Sequence, residues 1–172
     1  MTDENPMREI LIEKVTANIG TGQPGDVLDN AKGLLEKLCE GRRAVETNAK
    51  KREPAFKLRK GLAIGVMITL RGKPANDFLE KALAAKRKVL MARNFDREGN
   101  FSFGIAEYID FPGAKYDPAI GMYGFDICVT LKRRGRRITK RRNRKSKVGK
   151  KHRITKDEAM EFAKARYSVK IE

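Results

Sequence analysis

The side chains with the clearest chemical preference are the cations concentrated at residues 132–153, called the basic segment below. It contains 14 Lys and Arg and no acidic residue, whereas the rest of the chain has 25 basic and 22 acidic residues. Because each neutralised phosphate releases condensed counterions, so dense a run favours a polyanionic partner, nucleic acid before an anionic membrane. The predicted phosphate-binding residues are Lys132, Arg133, Arg134, Arg136, Arg137, Lys140, Arg141, Arg142, Arg144, Lys145, Lys147, Lys150, Lys151 and Arg153.

Little in the basic segment can form a core. Its only aliphatic residues are Ile138 and Val148, so we expect a mobile loop in the free protein. Two other interpretations stay open: a solvated loop that keeps the protein soluble, or a nuclear-import signal. His152 has no nucleophile or orienting carboxylate beside it in the segment, which predicts a phosphate or base contact and not a general base.

A second pattern with possible chemistry is Gly20-Thr-Gly22-Gln-Pro-Gly25, which matches the dinucleotide-binding fingerprint and precedes Glu46 by about twenty residues. Pro24 stands where helix N–H groups should face a pyrophosphate. The preceding strand alternates instead of being apolar on both faces, and regular βαβ units do not follow. We therefore interpret the glycines as permitting a tight turn between strand and helix, and expect no cofactor.

Residues for catalysis or metal binding are not grouped in the sequence. It contains no P-loop, H-E-x-x-H or G-x-S-x-G motif, and its carboxylates are dispersed among basic residues. One His and two separated Cys cannot build a zinc site, and we expect Cys39 and Cys128 to be small buried side chains. The sequence thus predicts a protein that is not an enzyme.

Hydrophobic periodicity predicts the elements that position these residues. Alternation predicts strands at 10–19, 44–47, 62–71, 101–111, 124–131 and 168–171. Helical spacing predicts a helix at 27–39, with Gly41 as its C-terminal cap, and a helix from Pro74 to Leu90. The capping box Thr155-Lys-Asp-Glu158 predicts a last helix. Alternating strands that outnumber the helices favour an α+β fold: a single domain over 1–172, with a mainly antiparallel sheet, helices packed on one face and the basic segment inserted before the last helix.

Two features bear on the compartment. No apolar run approaches the ~20 residues needed to span a bilayer. The start, Met-Thr-Asp-Glu-Asn-Pro, lacks the basic and apolar regions of a signal peptide. We expect a soluble, cytoplasmic protein.

The stretch Lys50-Lys-Arg-Glu-Pro-Ala-Phe-Lys-Leu-Arg-Lys-Gly61, with its continuation to Gly72, resembles the ribosomal protein family named large-subunit protein five. The resemblance extends to Asn18-Ile-Gly-Thr-Gly22, to Phe95-Asp-Arg-Glu-Gly-Asn-Phe-Ser-Phe-Gly104 and to Gly-Phe-Asp at 124–126, and covers roughly residues 8–171. The basic segment and the His-Arg-Ile-Thr at 152–155 resemble the archaeal and eukaryotic form. The short N-terminus favours an archaeal source.

The resemblance implies a structural constituent of the large ribosomal subunit, without catalytic activity. Such a protein binds 5S rRNA, contacts peptidyl-site tRNA through a loop and helps bridge to a small-subunit head protein. Its further partners are large-subunit rRNA and other ribosomal proteins. The residues that correspond to the tRNA-contacting loop, 51–61, are Lys51, Arg52, Phe56, Lys57, Arg59 and Lys60.

The same resemblance assigns 5S rRNA contacts to Asn18, Thr69 and Arg42, to which we add the cations Arg43 and Arg71. Family members commonly have Gln where this chain has Arg42. A guanidinium can fork onto a phosphate but cannot accept a hydrogen bond, so we expect a phosphate contact there in place of a base contact.

Strand parity supports part of that assignment. Asn18, Thr69 and Arg71 each alternate with apolar neighbours, so we expect them on one solvent-facing side of the sheet, where short polar groups can meet ribose 2′-hydroxyls and base edges. An exposed face without a ligand is the alternative.

Two rival functions are an RNA-processing enzyme, which should show clustered carboxylates or a His pair, and a cofactor-binding oxidoreductase, which should be retained by a nicotinamide dye column at high salt.

Overall fold

The computed structural model describes residues 5–118 and 120–172. The helices and strands of these residues are, in chain order, β1 Ile10–Gly20, α1 Asp26–Leu38, β2 Val45–Asn48, β3 Ala63–Leu70, α2 Lys73–Ala85, β4 Val89–Leu90, β5 Phe101–Ile105, β6 Phe125–Arg133, α3 Lys156–Tyr167 and β7 Lys170–Ile171. Five strands form a sheet in the order β2-β3-β1-β6-β5, and β4 pairs with β7. The predicted α+β class, with a mainly antiparallel sheet, is confirmed.

The chain divides into two compact units. The terminal unit comprises residues 1–15, 71–102 and 128–172, and the central unit comprises residues 16–70 and 103–127. Three of the four boundaries fall inside β1, β5 and β6, and the fourth directly follows the end of β3 at residue 70. The prediction of one domain over 1–172 stays a prediction.

In the central unit, α1 packs against β3. The helix buries Leu28, Ala31, Leu34 and Leu35. The strand alternates between buried Val66, Ile68 and Leu70 and exposed Met67 and Thr69. The one departure from that alternation is Gly65, which is buried. A Cβ there would lie 2.8 Å from the Ile19 carbonyl oxygen and from Thr47 Oγ1, so this position favours glycine.

α1 ends just before the predicted glycine, and the left-handed residue of its cap is Glu40, with φ 58°. The next residue is Gly41, whose N–H donates to the Glu36 carbonyl oxygen at 2.8 Å. This six-to-one hydrogen bond is the Schellman arrangement, which satisfies a carbonyl that the helix itself leaves free.

In the terminal unit, one helix prediction was wrong. We predicted a long helix from Pro74 to Leu90, but α2 ends at Ala85, and Val89 and Leu90 pair in parallel with Lys170 and Ile171. The chain reverses at Arg87 and Lys88, whose φ values are 55° and 56°. The apolar residues at 89–90 therefore belong to a strand and not to the helix. Their pairing with residues far along the chain is not visible in local periodicity. The capping box at α3 is confirmed: Thr155 and Glu158 bond reciprocally.

Two other expectations are corrected. The strand predicted at 101–111 ends at Ile105, after which Tyr108–Asp110 form a 3-10 turn. Cys39 is buried as expected, but Cys128 is exposed because it occupies an outward position between buried Ile127 and Val129 on β6. Among the described residues, no helix combines the length and apolar character needed to cross a membrane.

Candidate RNA-binding surfaces

The first candidate surface is the open side of the sheet in the central unit. Asn18 is half-buried between buried Ala17 and Ile19, and Thr69 is exposed between buried Ile68 and Leu70. Their predicted solvent-facing parity is thus confirmed. The apolar partners on the other side of β3 are buried beneath α1, so the polar side of these strands is left open.

This open side is not wholly polar. Val45 of β2 lies opposite Met67 of β3 in the antiparallel register, and both side chains are exposed. Thr47 lies opposite Gly65, and because glycine has no side chain, nothing projects from the sheet at that position. Hydroxyl and amide groups beside exposed apolar side chains suit ribose and base edges, which present both kinds of group.

The predicted arginines project from different places. Arg42 and Arg43 are exposed in the connection after α1, in the central unit. That connection is held by the buried Ala44, whose N–H donates to the Glu36 carboxylate at 2.9 Å. Arg71 belongs to the terminal unit, where its Nη1 donates to the Glu13 carbonyl oxygen at 3.3 Å. Since a guanidinium has five N–H groups, Arg71 keeps donors for a phosphate.

The second candidate surface, residues 51–61, is called the finger below. Glu53 and Leu58 exchange two backbone hydrogen bonds of 3.0 Å, Pro54–Phe56 form a 3-10 turn between them, and Lys57 takes the left-handed conformation. The Phe56 side chain, 74% exposed, stands in this turn. All five predicted cations of the finger are exposed: Lys51, Arg52, Lys57, Arg59 and Lys60.

The third candidate is the basic segment, which the structure ties to acids outside it. Arg133 lies at the end of β6, is 6% exposed, and donates from Nη2 to Glu158 at 2.6 Å. Arg134 pairs with Glu9 at 2.7 Å. Glu13 of β1 is bonded by Lys140, with Arg136 at 3.5 Å from its other oxygen. Four predicted phosphate-binding cations therefore already have carboxylate partners.

Glu13 has the most unusual environment of these acids. Its side chain is buried, at 7% exposure, at an inward position of β1. Burial by itself raises the pKa of this carboxyl, but the hydrogen bond from Lys140 and the charges of Arg136, Lys140 and Lys132 outweigh it and lower the pKa below 4.5. The pKa of Glu158 is lowered in the same way, against desolvation, by hydrogen bonds from Thr155 and Arg133.

These contacts correct the expectation of a mobile loop over all of 132–153. Residues 136–139 and 150–152 form 3-10 turns, the Ser146 N–H donates to the Ile138 carbonyl oxygen at 3.1 Å, and His152 Nε2 lies 3.0 Å from the Arg134 carbonyl oxygen. Arg133 is buried and neutralised, so we leave it out of the proposed phosphate-binding set. The cations of the set that are exposed are Arg134, Arg137, Lys140, Arg141, Arg142, Arg144, Lys145, Lys147, Lys150, Lys151 and Arg153, while Lys132 and Arg136 are half-buried.

The glycine-rich segment behaves as a turn. The N–H groups of Thr21 and Gly22 both donate to the Ile64 carbonyl oxygen, at 3.0 and 2.9 Å, so neither points free for a pyrophosphate. Gly22 and Gly25 have φ of 70° and 99°, values that side chains rarely adopt. The interpretation of the glycines as turn residues is confirmed.

The turn at Asp96–Asn100 has a structural role. Asp96 accepts hydrogen bonds from the Glu98 and Asn100 N–H groups, and Asn100 Oδ1 accepts from the Leu131 N–H at 3.3 Å. A Cβ on Gly99 would lie 2.5 Å from Ile154. The turn thus braces β6 where the basic segment begins.

Nothing in the described residues assembles a reactive centre. No group of three or more His, Cys, Asp or Glu side chains there could hold a metal ion. Burial raises the pKa of the Cys39 thiol to about 12, which removes it as a nucleophile at neutral pH. The described surfaces therefore offer an open sheet side and two cation-rich segments, and no grouped catalytic residues.

Comparison with known proteins identifies the kind of protein this is. A model of the C-terminus of the ribosomal L5 family matches residues 63–162, and a model described as ribosomal protein L5 matches residues 5–59. The large ribosomal subunit protein uL5 of Methanococcus maripaludis strain C7 is 48% identical over 172 residues, covering 98% of this chain and 94% of that protein. Its counterpart in Sulfurisphaera tokodaii is 49% identical over 168 residues, covering 97% and 94%.

These matches define the class of the protein: it is a structural ribosomal protein and not an enzyme. The chain belongs to the ribosomal protein L5 family, in the form that archaeal relatives share, and is a protein of the large ribosomal subunit in the cytoplasm. Its partners are therefore rRNA and other ribosomal proteins.

Proposed function

We propose that the chain binds 5S rRNA through the open side of β1 and β3, contacts peptidyl-site tRNA through the finger, and helps bridge to a small-subunit head protein. The observation that carries the 5S assignment is the sheet face itself. Asn18, which is half-buried, and Thr69, which is exposed, alternate there with buried apolar residues, while α1 packs against β3. Arg42, Arg43 and Arg71 add exposed guanidinium groups for the RNA backbone.

The decisive experiment is a salt-titrated gel shift with 5S rRNA and a duplex RNA of equal length. Asn18→Ala or Thr69→Val should each weaken 5S binding by on the order of 1 kcal/mol, because a buried donor or acceptor on the RNA loses its partner. Arg71→Ala should weaken both RNAs alike and flatten the salt slope by about one phosphate contact.

The matched control is Asn48→Ala, which removes an exposed Asn at the end of β2 that lies outside the proposed set. It should bind both RNAs as the parent does. Wild-type affinity and selectivity in all three test variants, with folding checked by circular dichroism, would overturn the 5S assignment.

The finger supports the tRNA contact. The Glu53–Leu58 hydrogen bonds close its tip as a hairpin, and Phe56 is exposed among cations that can reach phosphates. An exposed aromatic ring beside cations suits an unpaired nucleotide, because the base can stack on the ring while the phosphate binds a cation.

The connection between β5 and β6 supports a protein partner. It exposes Ile109, Tyr116 and Met122, and its acidic residues outnumber its one Lys in a chain whose net charge is +17. Acidic groups repel an RNA backbone but complement a basic protein, and exposed apolar side chains are typical of a protein-binding surface. We therefore propose this connection for the bridge to the small subunit.

A further inference from the structure

A pocket of about 270 Å³ opens on the basic segment within the terminal unit. Its lining combines cations with aliphatic groups. The lining residues that carry the argument are Lys132, Arg136, Lys147, His152, Val148 and Ile154.

The walls of this pocket are held by specific contacts. The buried Arg133 donates to Glu158 and, from Nη1, to the Arg153 carbonyl oxygen at 3.3 Å. The Arg136 guanidinium donates to the Leu131 carbonyl oxygen at 3.0 Å. Ile154 is buried against Gly99. The cavity is therefore bounded by tied backbone and side chains, not by freely moving loop residues.

The charge of the lining favours an anion. Glu98 is the one acid among the lining residues. Lys147 forms no ion pair with any acid in the described part of the chain, and Arg136 only shares Glu13 with Lys140. A cation without an acid partner, such as Lys147, attracts a phosphate group to a cavity, and Arg136 keeps N–H groups that neither Glu13 nor the Leu131 carbonyl oxygen uses.

The aliphatic part of the lining favours more than a bare phosphate. Val148 is half-buried although residues 141–147 are all exposed, and it lines the pocket with the buried Ile154. His152 Nε2 must carry its proton toward the Arg134 carbonyl oxygen, which can only accept, so Nδ1 is left to meet a ligand. An inorganic anion gains nothing from these aliphatic groups, whereas a ribose or base does.

We infer that this pocket takes one unstacked nucleotide of ribosomal RNA, with its phosphate on Lys147 and Arg136 and its sugar or base against Val148 and Ile154. The inference rests on the proposed RNA-binding function and adds to it a defined site. The basic segment then holds RNA at a particular nucleotide as well as attracting the backbone in general.

The test uses adenosine monophosphate, ribose 5-phosphate and inorganic phosphate as probes, titrated into the full-length protein and followed by NMR. Adenosine monophosphate should bind about tenfold more tightly than inorganic phosphate, because its sugar and base bury aliphatic surface. The methyl signals of Val148 and Ile154 should shift with the nucleotide. Equal affinity for all three probes would reduce the pocket to an anion site and overturn the inference.

Variants locate the binding. Lys147→Ala and Val148→Ser should each weaken adenosine monophosphate by about fivefold, since each removes one part of the lining. The matched control is Lys164→Ala, an exposed lysine of α3 that does not line the pocket and lies outside the basic segment, which should leave nucleotide affinity unchanged. Equal loss in Lys164→Ala and Lys147→Ala would show that only general charge matters and would also overturn the inference.

A parallel salt titration with large-subunit rRNA separates this inference from the proposed function. If the nucleotide fails to bind while neutralising the exposed cations of the basic segment still lowers the salt slope, the pocket is not a site and the RNA-binding function stands. If that slope is also unchanged, the basic segment contacts no phosphate of rRNA, and both the pocket and the general RNA contact of this segment are wrong.

Discussion

The finger and the basic segment are both rich in cations, but they hold them in different ways. The finger is a small hairpin that closes on its own backbone hydrogen bonds, and its cations are all exposed. The basic segment is tied down by Glu9, Glu13 and Glu158, which neutralise four of its cations. Cation density alone therefore does not measure how much charge a surface offers to RNA.

The difference has an energetic basis. A carboxylate that already pairs with a cation competes with an arriving phosphate for the same donor. In the exposed pair of Arg134 and Glu9 that competition costs little, because water screens it. Around Glu13 it costs more, because displacing Lys140 and Arg136 would leave a buried carboxylate without a partner.

The largest expected effect comes from neutralising the unpaired part of the basic segment. Replacing Arg141, Arg142, Arg144, Lys145 and Lys147 with Gln should lower the slope of log affinity against log salt for rRNA by roughly 3.5 to 4.5 units, about 0.7 to 0.9 for each phosphate that is no longer neutralised. The protein should remain folded, since four of these side chains make no hydrogen bond or ion pair in the described chain and Arg141 only bonds the Arg144 carbonyl oxygen. An unchanged slope would mean that these residues touch no phosphate.

The second effect concerns the acid that holds the segment. Glu13→Gln should lower the free energy of unfolding by on the order of 2 kcal/mol, because it removes a buried, charge-assisted hydrogen bond and leaves Lys140 and Arg136 without their acid. Urea unfolding measures it. The control is Glu9→Gln at the exposed pair with Arg134, for which we expect less than about 1 kcal/mol. Equal losses in both variants would show that the burial of Glu13 is unimportant.

The same acid gives a pH dependence with a definite sign. The folded-state pKa values of Glu13 and Glu158 are both lowered below 4.5, so their contribution to stability is fully present above that value and is lost as pH falls through the lowered folded pKa. Unfolding free energies measured between neutral pH and the acid range should fall, and they should fall less steeply in Glu13→Gln. Identical pH profiles for parent and variant would contradict the role of Glu13.

The smallest effect is expected at the finger. Arg59→Ala with Lys60→Ala should leave 5S rRNA binding unchanged and weaken peptidyl-site tRNA by about tenfold, roughly the worth of two exposed phosphate contacts. Reconstituted subunits provide both measurements. Equal loss of 5S rRNA binding and tRNA binding would place the finger in the 5S interface. The finger would then not be a separate tRNA-contacting region.

Local patterns predicted much of the fold. Alternation predicted β1, β3 and β6 with the correct inward parity, and the capping box and Gly41 marked helix ends correctly. These signals succeed because strand parity and helix caps depend on residues that are near in sequence. They failed at Val89 and Leu90, whose strand partner lies some eighty residues further along the chain.

The order of the residues is enough to establish the chemistry of this protein: a large positive charge gathered in one segment, strands with one polar side, and motifs of a ribosomal family. Which of those charges stay available depends on the folded chain. The burial of Glu13, the neutralisation of Arg133 and the pocket against Val148 and Ile154 all arise where distant segments meet. A side chain's charge is a local property, but its solvation and its partner depend on what the fold places beside it.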